Sequence, residues 1–232
     1  MPRAQRGFTL IELMVVVAIV GLLAALAITS FRHFQARARQ AECKTNLKSV
    51  FTAQKSYFGD KQMYLEEFNI IGFAPEMGNR FSYYGGPITG TELRPQTGQV
   101  SISNGTDGYC GQFLGQQLIT LDESKWGAAS WAATLPTAFA TRSANPGGQS
   151  TLSTSVGVVS SLGACCPQGQ CDFLAACQGN IDEDDTTDIW SMSSQGSGGV
   201  SSTVTCPIGG GKTTTGAFAA GEPVNECNDA AL

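Results

Sequence analysis

"RGFTLIELMVVVAIVGLLAALAITSF", residues 6–31, contains one acidic residue, Glu12, in a largely apolar run. No charged side chain lies between Leu13 and Phe31, and a bilayer-crossing helix needs roughly 17–25 predominantly apolar residues. The run is long enough to span. Ahead of it stands "MPRAQRG", whose Arg3 and Arg6 belong on the cytoplasmic side. A secretory signal peptide also opens on positive charge and an apolar stretch, but its small-residue cleavage site follows that stretch. Here "LAALAITSF" passes directly into "RHFQARARQAECKTNLKSVFTAQKSYF". Position alone leaves Glu12 two readings. A carboxylate inside a membrane usually has a partner or a function, whereas one close to a helix start can snorkel to the interface and gain from the helix dipole.

The continuation carries its own helical pattern. Cys43, Leu47, Val50, Phe51, Gln54, Tyr57 and Phe58 recur at steps of three and four and form one mostly apolar stripe, which leaves Arg37, Arg39, Lys44 and Lys48 for solvent. Residues 8–58 therefore read as one helix, about 75 Å long at 1.5 Å per residue. Residues 8–31 are apolar all round, which suits lipid or a helical bundle. The remainder is amphipathic and suits packing on a globular head.

"GFTLIELMVVVAIVGLLAALA" closely resembles the N-terminal signature of the type IV prepilins, the family of type IV pilins and type II secretion pseudopilins. The resemblance implies that residues 1–7 are a leader, cut between Gly7 and Phe8 by a membrane-bound prepilin peptidase that also methylates the new amine of Phe8. It implies that Glu12 meets the Phe8 amine of a neighbouring subunit in a dry bundle, where an unpaired charge is strongly disfavoured. "FQARARQAECKTNLKSVFTAQKSYF" and "IGFAPEMGNRFSYY" are similar to stretches of deltaproteobacterial major type IVa pilins, so the resemblance runs over residues 7–84. Two positions depart from those pilins. Thr29 stands where they usually carry a helix-loosening proline, and Cys43 is unusual on the helix stem. On the apolar stripe, Cys43 reads as a buried thiol or a bridge to the head.

Composition agrees with an exported protein. The 232 residues include 28 glycines and only 14% charged side chains, and the net charge of -5 becomes -7 once Arg3 and Arg6 leave with the leader. Nucleic acid is not expected as a partner, because binding it needs a basic face. The eight cysteines, Cys43, Cys110, Cys165, Cys166, Cys171, Cys177, Cys206 and Cys227, read as disulfides of an oxidising compartment. On the order of a hundred full pairings are possible. The candidate pair is Cys206 with Cys227, which would staple the chain end. A zinc site in "CCPQGQCDFLAAC" lacks a paired CxxC spacing.

In the head, "QVSISNGTDGYCGQF" alternates before Asn104-Gly105, a two-residue hairpin signal. "DESKWGAASWAATL" reads as a short helix or a loop with two buried tryptophans. "DFLAACQGNIDEDDTTDIWSMS" places strand-like segments on either side of an acidic turn. Asp182, Glu183, Asp184, Asp185 and Asp188 offer the hard oxygen ligands that Ca2+ prefers, although the turn lacks the glycine and distant glutamate of an EF-hand, and such turns are commonly just solvated. No cofactor other than Ca2+ is expected. Residues 196–232, low in hydrophobicity, are similar to the disulfide-bounded C-terminal surface region of type IV pilins and need a bridge to stay ordered.

Catalysis finds little support. The single histidine, His33, lies where the helix leaves the membrane, so no Ser/His/Asp or Cys/His site assembles in the head. "CPIGGGKT" nearly matches a phosphate-binding loop, but Cys206 takes the place of its first glycine. The expected fold is α+β: a leader (1–7), a long helix (8–58), a head with an antiparallel sheet (59–195) and a disulfide-bounded C-terminal region (196–232). The resemblance implies a structural subunit that waits in the inner membrane, is handled there by the prepilin peptidase and the assembly machinery, and polymerises with its copies into a surface pilus for motility and adhesion. A pseudopilin and a tip-located adhesive pilin share the same N-terminal features.

Overall fold

A computed structural model describes residues 7–86, 90–95, 97, 99–103, 105–106, 114–129, 156–159, 171–181, 186–198, 202–206, 210–214 and 217–227. The chain forms two compact units, Met1–Ala38 and Arg39–Leu232. One helix, α1 (Leu10–Lys61, 52 residues), starts in the first and ends in the second. It is unbroken at Gly21 and Thr29. It ends three residues later than the sequence pattern indicates, where Gln62 turns left-handed at a φ of 58° and its N–H bonds the Phe58 carbonyl, a common way for a helix to stop.

In the first unit, the apolar side chains of α1 are exposed on every side, from Leu10 and Ile11 through Leu26 and Phe31. In the second unit the stripe read from the sequence is the buried face: Cys43, Leu47, Val50 and Gln54 have almost no exposure, Gln40 extends the stripe, and Phe51, Tyr57 and Phe58 flank it half-buried. Two cations assigned to solvent are instead held by the head. Arg39 Nη1 donates to the Ile181 carbonyl, and Lys44 Nζ sits 4.2 Å from the Trp190 ring centroid. Their aliphatic stems allow this half-buried placement.

After α1 come α2 (Phe68–Ile71), β1 (Ser82–Tyr84), β2 (Thr91–Arg94), β3 (Ser101–Ser103), β4 (Gly105–Thr106), β5 (Leu114–Gly115), β6 (Leu118–Asp122) and α3 (Glu123–Trp126). The second half contributes β7 (Gly157–Val159), β8 (Asp172–Gly179), β9 (Asp188–Ser193), β10 (Ser197–Gly198), β11 (Ser202–Cys206), β12 (Gly210–Thr214), β13 (Ala217–Phe218) and β14 (Val224–Cys227). The main sheet runs β14-β9-β8-β1-β6-β2-β3, with β7 beside the first part of β8.

β8 is the spine of this sheet. Its odd-numbered side chains face α1: Phe173 lies 6.0 Å from Phe51 and 4.9 Å from Tyr64 between ring centroids, and Cys177 is disulfide-bonded to Cys43. Its even-numbered Leu174 and Ala176 join Tyr84, Leu118, Val156, Ile189 and Cys227 in a buried cluster. Burial on both faces is why "FLAAC" reads as a continuous apolar run. β8 ends on Gly179, where a Cβ would stand 2.5 Å from the Phe81 ring.

Several expectations need correction. The expected antiparallel pairing holds through the main sheet except where β2 lies parallel to β6; the chain returns to β6 through β3, β4 and β5. Asn104 lies outside the described residues, but the strands on either side of it have other partners: Gly105 and Thr106 pair with Gly115 and Leu114, and Ser101–Ser103 pairs back onto β2. α3 exists, capped by Asp122, but Trp126 is 38% exposed; Trp131 lies outside the described residues. The C-terminal region is more than a surface loop, because β14 completes the main sheet against β9. "CPIGGGKT" joins paired strands, with Lys212 opposite Val204, whereas a phosphate-binding loop must open a helix.

A candidate assembly site at the start of the long helix

Thr9, Leu10, Ile11 and Glu12 have the T-x-x-E spacing that lets two side chains cap a helix start reciprocally. The structure forms that box. The Thr9 backbone N–H and hydroxyl both donate to Glu12 Oε2, at 2.9 and 2.6 Å, and the Glu12 N–H reaches Thr9 Oγ1 at 3.4 Å. In the single subunit, Glu12 thus satisfies a helix end whose N–H groups otherwise lack partners. The sequence reading missed Thr9, although the spacing was available to it.

Phe8, Ile11, Glu12, Val15 and Val16 line one shallow depression on the helix. The carboxylate therefore stands on an apolar, exposed face, with Phe8 at 80% exposure beside it. Such a face favours burial against another apolar surface, and burial would require a cation for Glu12. Gly7 precedes the helix, and a Cβ there would meet nothing within 4 Å. The fold itself thus sets no demand for glycine at this position.

The other candidate residues do not gather here. Asp188 opens β9 fully buried, and its carboxylate accepts hydrogen bonds from Gln40 Nε2 at 3.3 Å, Asn225 Nδ2 at 3.2 Å and Trp190 Nε1. Three neutral donors fit a structural anchor at the start of β9. Asp182, Glu183, Asp184 and Asp185 lie outside the described residues, and among the described residues no three His, Cys, Asp or Glu side chains could hold a metal. Calorimetric titration of the chain with Ca2+ tests the calcium site expected at Asp182, Asp184, Asp185 and Asp188. Cys227 is buried and disulfide-bonded. Cys206 lies in β11, with its side chain outside the described set. His33 is exposed on α1.

Tyr83, opposite Cys177 in the sheet, takes a hydrogen bond from Asn46 Nδ2 at 2.6 Å. Burial, together with the nearby Glu42 carboxylate, pushes the Tyr83 hydroxyl well above its usual pKa. Burial likewise raises the Glu42 carboxyl, against the opposing pull of the Arg80 N–H at 2.9 Å and the Arg80 charge.

Comparison with known proteins follows the same division. The family model "Type IV pilin PilA" matches residues 34–188, and "Prokaryotic N-terminal methylation motif" matches residues 2–28. The type IV major pilin protein PilA of Myxococcus xanthus (strain DK1622) is 41% identical over 228 residues, covering 98% of this chain and 93% of that protein. Fimbrial protein EcpC of Eikenella corrodens is 33% identical over 79 residues, 34% of this chain and 52% of that protein. Type IV major pilin protein PilE of Neisseria gonorrhoeae is 27% identical over 127 residues, 55% of this chain and 72% of that protein. A helix whose capped apolar half carries one carboxylate, a sheet stapled to its second half and near full-length similarity to a pilin agree: the chain belongs to the type IV pilin family, a family of structural pilus subunits and not of enzymes.

Proposed function

We propose that the mature chain, Phe8 to Leu232, is the major subunit of a retractile type IV pilus. The prepilin peptidase removes residues 1–7 and methylates Phe8. The subunit then waits in the inner membrane, held by the apolar half of α1. The assembly machinery moves it into the filament, where that half is reburied against the helices of other copies and the heads form the outer shell. Reburial of the same apolar surface makes extraction favourable, and the pairing of Glu12 with a neighbour's Phe8 amine sets the stagger between copies. Motility by retraction and adhesion through the heads follow from this role.

The observation that carries the reading is Glu12 on the exposed apolar face shared with Phe8. Glu12→Ala should abolish surface filaments while leaving the melting temperature of the head unchanged, and wild-type filament yield would defeat the stagger mechanism. Mass spectrometry of filaments sheared from cells should find a methylated Phe8 terminus on the dominant protein. A processed chain that is scarce there, or confined to the envelope, would favour a tip-located pilin or a pseudopilin.

A further inference from the structure

Three cations in the second-unit part of α1 have partners in the head or its entry loop. Arg39 bonds the Ile181 carbonyl, Lys44 lies over Trp190, and Lys55 donates to the Tyr64 hydroxyl at 2.7 Å. Arg32, His33 and Arg37, just past the apolar run, are exposed and make no hydrogen bond, ion pair or ring contact among the described residues. Phe31 and Phe34 stand among them at 61% and 67% exposure. No carboxylate occurs between Leu13 and Ala41, so the helix itself offers these cations no counter-charge.

Their placement around and along the helix is informative. Successive residues turn by about 100°, so Arg32, His33 and Arg37 share an arc of about 140°, Phe31 and Phe34 take much of the remainder, and the five side chains together ring the axis. A protein partner docking on the cationic arc would leave Phe31 and Phe34 exposed on the far side, whereas the headgroup level of a bilayer surrounds a helix and takes cations and aromatic rings at one depth. Along the axis, Glu12 and Arg32 are separated by roughly 30 Å of helix, which matches the hydrocarbon thickness of a bilayer. With Glu12 at one headgroup level, Arg32 reaches the other. Segments on the translocated side normally lack an excess of Lys and Arg, so cations there call for a partner. Aromatic side chains at the same level are a common interfacial anchor.

We propose that Arg32 and Arg37, with His33 between them, form a collar that binds anionic phospholipid headgroups at the outer face of the membrane. The collar fixes the depth of the waiting subunit, and each extraction must release it. This inference rests on the membrane-held precursor of the proposed function.

The test reconstitutes the full chain in phosphatidylcholine vesicles with and without phosphatidylglycerol, and measures by electron paramagnetic resonance how strongly it immobilises spin-labelled copies of each lipid. The wild type should prefer phosphatidylglycerol, less so as salt rises. R32Q and R37Q should each reduce the preference by roughly fivefold, with the melting curve of the head unchanged. Equal immobilisation of both lipids by the wild type, or an undiminished preference in the double variant, overturns the collar. Flotation with the vesicles separates the two levels of the argument. A chain that floats but shows no lipid preference refutes the collar alone, and a chain that does not float refutes the membrane-held precursor and the collar together.

Discussion

The Arg94 guanidinium and the Glu92 carboxylate, two residues apart on β2, form a buried ion pair with Nη2 2.7 Å from Oε1. Arg94 also donates to the carbonyls of Pro75 and Glu76 and to Asn79 Oδ1. It thereby ties the loop before β1 to the sheet. Arg94→Met would leave Glu92 buried without its cation and should cost about 3–5 kcal/mol in urea unfolding. Glu92→Leu combined with Arg94→Met should recover part of that loss, and the shortfall measures the loop bonds. A fully restored double variant would show that the loop contacts contribute nothing.

Cys43 and Cys177 are 134 positions apart, with Cα atoms 6.2 Å from each other. Closing so long a loop restricts the unfolded chain, so the Cys43→Ser/Cys177→Ser variant should lose about 2–5 kcal/mol. Thermal melting without reductant checks this, and an unchanged midpoint would contradict it. Non-reducing peptide mapping should recover Cys43 joined to Cys177, and Cys227 joined to Cys206.

Glu42 provides a pH signature. Burial raises its pKa in the folded chain above the usual 4.5, so the folded state binds the proton more tightly than the unfolded state. Its effect on stability is therefore most favourable below 4.5 and is lost as pH rises through the raised folded value. The melting temperature of the wild type relative to Glu42→Gln should rise as pH falls through that window. A difference independent of pH would exclude the assignment.

Thr9→Val keeps the side-chain volume but removes the hydroxyl that caps α1 through Glu12. Filament yield should fall short of wild type yet exceed that of Glu12→Ala, and Thr9→Ser should restore it. Equal yields for Thr9→Val and wild type, counted by electron microscopy, would remove Thr9 from the assembly site.

The features that follow from periodicity were legible in the sequence. The unbroken apolar run and the stripe from Cys43 to Phe58 gave α1 and its buried face, and the two apolar segments around the acidic turn gave the β8–β9 hairpin. What remained hidden depends on contacts between distant residues. Nothing local marks Cys177 as the partner of Cys43 among eight cysteines. The acidic run drew Asp188 into a solvated turn, whereas the strand starting there buries it against Gln40 and Trp190. Asn104-Gly105 carries the local signal of a hairpin, but the pairing of Ser101–Ser103 with β2 overrides it. Thr9 differs from these, because its T-x-x-E spacing to Glu12 is a local signal that marks the cap directly.

The Cys43–Cys177 bridge also determines how the molecule carries load. A pull arriving along α1 reaches residue 43 and can cross at once into the centre of the sheet through a single covalent link. Everything between the two cysteines sits inside a closed ring of chain and adds no length to a stretched subunit while the bond lasts. Extension is then confined to the stem before Cys43 and the chain after Cys177, so the ring limits how far each link of a strained fibre can give.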